Sequence, residues 1–410
     1  MDPIPFDEAI ARIESVPETD PGVEFVDLDV AGGRMLAQDV RLDRDQPAFD
    51  RATMDGYAVA AHPLGATNPL VFRVVGTLLA GQVWSTAIRP GEAVRIMTGA
   101  PCPAGTAVVP HEQTDRGNAL VTIRAGTPFE TGRNVAQCGE DGRRGAIVVA
   151  AGTRLGPATC AVAAMAGEAQ VQVRRLPRIA VVATGDELSA GGEVVPAGSA
   201  SIVDSNGPFL AALAASLGLP CRRQRVIDDE TALSAALAGA SESDVTVTTG
   251  GASAGFRDLV PSLVRDLGFR TLFHGCDIQP GKPVLVARRD DGHWLVGLPG
   301  NPVSVLATAH LFLLPVLGKL GVASGTTWMR LPLAEPWQQR GARRLFLPAR
   351  IDSGMIRPIR WNGSGDLIAA AAGDALIDLT PGGTWKAGEF MPVLPYVGAL
   401  PGQRGLLPQR

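Results

Sequence analysis

Lysine is nearly absent from this 410-residue chain: Lys282, Lys319 and Lys386 are the only lysines among 37 basic residues. Aromatic residues are also scarce, at 5%, with two tyrosines. The cysteines, Cys102, Cys138, Cys160, Cys221 and Cys276, are odd in number, widely spaced and without a C-x-x-C pair. That pattern argues against a disulfide framework or a cysteine zinc site and suits thiols kept reduced in the cytoplasm. A net charge of -4 supplies no general basic field, which argues against nucleic acid as a partner. The start, Met1-Asp-Pro-Ile-Pro-Phe-Asp-Glu8, has neither a basic nor an apolar leader region, so no secretory signal is expected. The longest apolar stretch, Val303 to Gly318, contains His310 and Pro315 and falls short of the roughly 20 residues needed to span a bilayer. It predicts a buried helix, and a cytoplasmic protein with no membrane partner.

Glycine and proline are abundant, at 49 and 32 residues, but have no G-X-Y period, which fits a folded, turn-rich protein of several domains. Residues 5–16 pattern as a helix with Phe6, Ala9, Ile10 and Ile13 on one face. From about Pro47 to Gln137, short strands between Gly and Pro turns predict a β-rich insert. A helix is expected over Pro157–Gly167 and a strand over Gln170–Arg174. Residues 177–320 alternate strand and helix, the pattern of a parallel sheet with right-handed crossovers. Short strands return after Gly325, among them Arg344–Ile351 and Phe390–Tyr396.

Within the alternating segment, four apolar runs break into loops rich in glycine, carboxylate, serine and proline: Thr184-Gly-Asp-Glu187, Asp204-Ser-Asn206, Thr249-Gly-Gly-Ala-Ser-Ala-Gly255 and Leu298-Pro-Gly-Asn-Pro302. Such loops at the carboxyl ends of parallel strands are where open α/β sheets bind ligands, often anions. Asp186, Glu187 and Asp204, if they converge, offer hard oxygen ligands for Mg²⁺. Gly251-Ala-Ser253-Ala-Gly255 fits the G-x-S-x-G pattern of a serine hydrolase, with Asp277 or Asp290 and His293 or His310 as partners in order, but no HGGG-type segment precedes it. Gly281-Lys282-Pro283 is not a phosphate-binding P-loop, because Cys276 replaces the required glycine and Pro283 the Ser or Thr. Lys282 still offers a point charge for an anion.

The string Phe49-Asp-Arg-Ala-Thr-Met-Asp-Gly-Tyr-Ala-Val59 resembles a hallmark of the molybdopterin molybdenumtransferases, the MoeA family that includes the gephyrin E domain. Thr98-Gly-Ala-Pro101, Gly139-Glu-Asp141, Thr184-Gly-Asp-Glu-Leu188, Asp204-Ser-Asn206, Asp228-Asp229, Thr249 to Gly255, Pro280-Gly-Lys-Pro283 and Gly297 to Ser304 agree in order and spacing. The resemblance covers about residues 5–397. It implies an α/β multidomain chain. A mixed framework domain would be formed by 1–45 and 142–175, a β-rich lid by 46–141, a three-layer α/β molybdopterin-binding domain by 176–323 and a C-terminal β-barrel by 324–410.

The same resemblance implies a homodimer that takes adenylylated molybdopterin and molybdate, inserts molybdenum at the dithiolene and releases AMP with Mg²⁺ or a similar divalent cation. Molybdopterin adenylyltransferase and cofactor-receiving molybdoenzymes would be its partners; a non-catalytic molybdopterin-binding scaffold is the alternative. By motif position, Asp55, Glu187, Asp258 and Lys282 would be catalytic, and Asp55, Glu187, Asp228 and Asp229 would hold the metal. Thr98, Asp141, Thr184, Gly185, Asp204, Asn206, Gly250, Gly251, Ser253, Pro299, Gly300, Asn301 and Pro302 would bind substrate. The chain departs from the family pattern at Phe256, where an acidic residue is common, and at Gln279, where many members have Lys; the lid after Pro101 is one residue shorter.

Overall fold

The computed structural model describes residues 2–60, 68–193, 198, 200–250, 260–322 and 327–398. The chain forms two compact units, one of residues 1–22 and 175–410, the other of residues 23–174. It leaves the first unit at Gly22 and re-enters it at Arg175, and the Arg175 N–H donates to the Gly22 carbonyl at 2.9 Å. Arg175 also fastens this re-entry with two hydrogen bonds to Asp244, at 2.7 and 3.0 Å, and one to the Pro21 carbonyl.

The larger unit is built on a six-stranded sheet of β1 (Ile179–Thr184), β2 (Cys221–Val226), β3 (Val245–Thr249), β4 (Arg270–His274), β5 (Leu285–Arg288) and β6 (Trp294–Leu298), in the order β2-β1-β3-β6-β5-β4. β1 and β3 are buried at every residue, which explains their uninterrupted apolar and Thr-rich sequences: a strand covered on both faces has no polar side. β2, β1, β3 and β6 run parallel, as the alternating pattern predicts. β5 alone is reversed, running antiparallel to both β6 and β4. The reason is connection length, since the segment Arg289–His293 between β5 and β6 is too short for a parallel crossover.

Helix α1 (Phe6–Glu14) buries Phe6, Ala9 and Ile13. Phe6 meets Phe312 at 5.8 Å and Phe346 at 4.8 Å between ring centroids. The helix therefore belongs to the core of the larger unit, whereas the resemblance places it in the framework of residues 1–45 and 142–175. Its amphipathic spacing shows which face is buried but not what covers it. Helices α2 (Asn206–Ser216) and α3 (Glu230–Gly239) lie over opposite sheet faces: Leu210 and Leu213 share a core with Val181 and Val247, while Leu233 and Leu237 share another with Val182 and Leu295. The apolar helix Pro302–Lys319 is long and apolar enough to cross a membrane by composition alone, but 78% of it is buried within the protein, the core helix expected.

The C-terminal strands close on themselves. Arg344–Asp352 pairs with Ala375–Leu379, which pairs with Phe390–Pro395, which pairs with Met329–Pro332. Met355–Pro358 then pairs with Arg344–Asp352 and bridges to Leu333, completing a small barrel. Ile278–Gln279 from the α/β region adds to this sheet beside Arg344–Leu345, tying the two parts together.

The unit of residues 23–174 has separate cores. One gathers Leu36, Val40, Leu155 and Val173 around the pairing of Val23–Asp27 with Gln170–Arg174. The others lie in a five-stranded sheet ordered Thr106–Pro110, Gly56–Ala60, Glu92–Ile96, Leu70–Leu78 and Leu120–Ile123.

Candidate active site

The carboxyl ends of β1, β3 and β6 bring the sequence-identified loops together. Gly250, with φ +86°, passes so close to β1 that a Cβ there would lie 2.4 Å from the Thr184 carbonyl oxygen. Only glycine allows that approach. A Cβ on Gly300 would lie 3.8 Å from the Gly250 Cα, so the third and fourth loops also touch. Asn206, the first residue of α2, donates from its side chain to the Gly300 carbonyl at 2.7 Å. The chain runs from β1 to β2 on one side and then to β3 on the other, so these loops converge at the topological switch of the sheet, where ligands bind in such folds.

The carboxylates of the first loop face the loop that follows β2. Thr184 donates its hydroxyl to Asp228 Oδ1, and the Asp228 N–H donates to Asp186 Oδ1 at 3.0 Å. Glu187 folds its carboxylate over Gly185, where a Cβ would stand 2.8 Å from Oε2. Asp229 caps α3, accepting from the Ala232 N–H at 2.8 Å, which commits one of its oxygens to the helix. Asp204 likewise accepts from the Gly207 N–H at 2.9 Å. Among the described residues no three His, Cys, Asp or Glu side chains form a metal-holding group, so the expected convergence of Asp186, Glu187 and Asp204 is not made. Gly251, Ser253 and Asp258, with Phe256, lie outside the described residues.

A pocket of about 510 Å³ opens beside the fourth loop. It is lined by Lys282 and Gln279, by Pro299, Asn301 and Ser304 of the fourth loop and the helix after it, and by Arg343, Trp361 and Ser364 from the C-terminal region. The Lys282 loop is drawn tight by the Cys276 N–H donating to the Lys282 carbonyl at 2.9 Å. A Cβ on Gly281 would meet Thr308 Cγ2 at 2.3 Å. The Ser364 loop is pinned to the fourth loop by Asn301, which donates to Ser364 Oγ at 2.9 Å, and by the Val303 N–H, which donates to the Ser364 carbonyl at 3.0 Å. Pro302 begins the core helix, where its missing N–H costs nothing. Arg343 makes a loose pair with Asp277 at 3.6 Å, both side chains well exposed, a contact too weak to withhold its charge from a ligand.

Arg343, Trp361 and Ser364 are not singled out by the sequence. The turn string Trp361-Asn-Gly-Ser-Gly365 marks a loop, yet nothing in it announces that the loop folds against a site some 60 positions earlier.

In the unit of residues 23–174, Asp55 and Thr98 are brought together. Asp55 Oδ1 accepts from the Thr98 N–H at 2.7 Å and from its hydroxyl at 2.8 Å. The backbone bond first, then the hydroxyl, holds the Asp55 carboxyl below the usual carboxylate range and leaves Oδ2 for a ligand. Asp141 is exposed, with Arg51 at 3.8 Å.

Both histidines of the hydrolase pattern are buried and hydrogen-bonded within the core. His310 spends one ring nitrogen on the Leu306 carbonyl and the other on the Val397 N–H, and His293 Nε2 pairs with Thr246 Oγ1.

A three-layer α/β domain with a glycine-rich loop cluster at its switch point, a barrel beside it with a pocket lined by two cations, and a separate unit carrying Asp55 define a multidomain α/β protein with an anion-binding site. Residues 4–167 match the MoeA N-terminal region (domains I and II), 180–319 the probable molybdopterin binding domain, and 330–396 the MoeA C-terminal region (domain IV). The chain is 33% identical over 408 residues to the molybdopterin molybdenumtransferase of Staphylococcus aureus (strain MRSA252), covering 96% of this chain and 95% of that protein. A Staphylococcus epidermidis molybdopterin molybdenumtransferase is 33% identical over 406 residues, with the same coverage. Among solved structures, the molybdopterin biosynthesis MoeA protein from Pyrococcus horikosii superposes with a TM-score of 0.81 at 31% identity, covering 97% of this chain and 100% of that one. The chain belongs to the molybdopterin molybdenumtransferase family.

Proposed function

We propose that this chain inserts molybdenum from molybdate into adenylylated molybdopterin, releasing AMP and the molybdenum cofactor. The observation that carries this reading is a single pocket lined by Lys282 and Arg343 together with Asn301, Ser304 and Ser364: two cations and several neutral donors suit a tetrahedral dianion. Arg343 supplies from the barrel a positive charge of the kind that Gln279 does not. The convergent loops beside it, with Asn206 and the close-packed glycines Gly250 and Gly300, fit a phosphate-bearing ligand.

A divalent cation fits the donor set in one form. Mg²⁺ is commonly held by one or two carboxylates plus substrate phosphates, not by an all-protein cage, and the Asp228 N–H bond to Asp186 brings the carboxylate-bearing loops after β1 and β2 together. Asp228 and Glu187 would hold it in the larger unit; Asp55 is a separate candidate ligand within residues 23–174. Bound there, the ion would neutralise charge developing on the phosphoanhydride. Function as a homodimer in the cytoplasm, between an adenylyltransferase that supplies the substrate and molybdoenzymes that receive the product, belongs to the same reading.

AMP release from adenylylated molybdopterin with Mg²⁺, with and without molybdate, tests it. Molybdate-dependent release by the wild type, lost in Asp55→Ala and Glu187→Ala, is the expected outcome. A folded protein that binds substrate but releases no AMP would identify a scaffold instead.

A further inference from the structure

The Lys282 pocket is too large for its proposed oxyanion. Its volume of about 510 Å³ falls among cavities that enclose drug-sized molecules, roughly 300–1,000 Å³, whereas molybdate has five heavy atoms. The surplus is not evenly polar. Beside the charged groups, Lys282 and Arg343, the same pocket is lined by Trp361, Pro280 and Pro283. Trp361 is half-buried and packs against both the α/β core and the barrel core, so its position is fixed by two packed layers. Its turn is locked by the Asn301 side chain to Ser364, and the Asn362 N–H donates to Asp366 at 3.1 Å. A rigid indole beside two cations fits a flat ring attached to an anionic group, because aromatic rings stack on heteroaromatic bases whatever their edge pattern.

We infer that Trp361 forms a ring-stacking subsite, in which the bicyclic, nitrogen-rich heteroaromatic ring of the substrate lies against the indole while its anionic end meets Lys282 and Arg343. This rests on the transferase reading for the identity of the substrate. Two parts of that substrate carry such a ring, the pterin and the adenine, and they share the chemistry that stacking recognises. Trp361 is thereby a specificity-determining residue supplied by the barrel, which gives the C-terminal domain a direct part in binding.

Equilibrium binding without turnover tests the inference. The wild type, Trp361→Phe, Trp361→Leu and Lys282→Ala would be titrated separately with 6-hydroxymethylpterin, followed by its fluorescence, and with AMP and molybdate, followed by calorimetry. Stacking on one aromatic is worth about 1–3 kcal/mol, so Trp361→Leu is expected to weaken one ring probe by about tenfold. Trp361→Phe should retain most of that binding, and molybdate affinity should be unchanged in both. Lys282→Ala should lose molybdate instead. The probe that responds identifies the ring. If Trp361→Leu binds both ring probes like the wild type, if it weakens molybdate equally, or if the wild type binds neither ring probe, the subsite does not exist. Absence of molybdate-dependent AMP release from the wild type would overturn the transferase reading separately, whatever the ring probes show.

Discussion

Asn206 donates its side-chain amide to the carbonyl of Gly300 at 2.7 Å, joining the start of α2 to the loop that ends β6. The bond fixes the fourth loop from one side, as the bond from Asn301 to Ser364 fixes it from the other. Asn206→Ala should leave the fold intact at a cost of about 1 kcal/mol, the usual net value of one hydrogen bond. Substrate affinity should fall by about tenfold if the loop must be held for binding. Asn206→Asp should fall further, since a carboxylate against a carbonyl oxygen repels it. Thermal melts and substrate titration of the two variants check both halves.

Gly250 admits no side chain. With φ at +86° and the Thr184 oxygen only 2.4 Å from where a β-carbon would stand, Gly250→Ala must push β1 and β3 apart or twist the loop. A loss of about 2 kcal/mol or more is expected, with AMP release falling in parallel. Denaturant titration should show it, and a variant as stable as the wild type would mean that the loop relaxes freely.

Thr98 orients Asp55 through its hydroxyl as well as its backbone. Thr98→Val keeps the backbone donor and removes the hydroxyl, so the Asp55 carboxyl should rise toward its ordinary range and the acid limb of kcat/KM should move to higher pH. Activity at neutral pH should drop by roughly tenfold, the common cost of losing a bond that aims a functional carboxylate. Asp55→Asn should abolish the acid limb along with most of the activity. The pH profile of AMP release distinguishes these outcomes.

His310 is buried against Tyr396 and Phe209, and burial pulls its pKa down to about 4. The folded protein therefore binds fewer protons at this site than the unfolded chain between about pH 6.5 and 4, so stability falls as pH drops through that window. The contribution lost is about 3 kcal/mol at most, from the difference between those two values. His310→Gln, which does not titrate, should flatten the stability profile between about pH 6.5 and 4. Equilibrium unfolding at several pH values measures it.

The legible parts of this molecule are those written locally. The run at Ile179–Thr184 reads as a doubly covered strand because every residue is apolar or Thr, and the loops after β1, β3 and β6 read as a site because their glycines and carboxylates interrupt such runs. The core helix at Pro302–Lys319 is plain from its length. What escapes depends on contacts distant in sequence. The amphipathic face of α1 is equally compatible with a framework or a sheet core, and Phe6 packs on Phe312 and Phe346. Arg343 and Trp361 become site residues only because Ile278–Gln279 pairs with Arg344–Leu345 and draws the barrel alongside Lys282.

Since the Arg175 N–H reaches the Gly22 carbonyl, the 152 residues between those points begin and end at one place on the larger unit. Topologically the segment is a guest: its two covalent junctions impose almost no loop-closure penalty on its host. A chain splicing Gly22 directly to Arg175 keeps every strand of the α/β sheet and the barrel in its native order. Lengthening the unit, shortening it or replacing it leaves that order untouched, so the strand order of the fold that carries Lys282 is set without the part that carries Asp55.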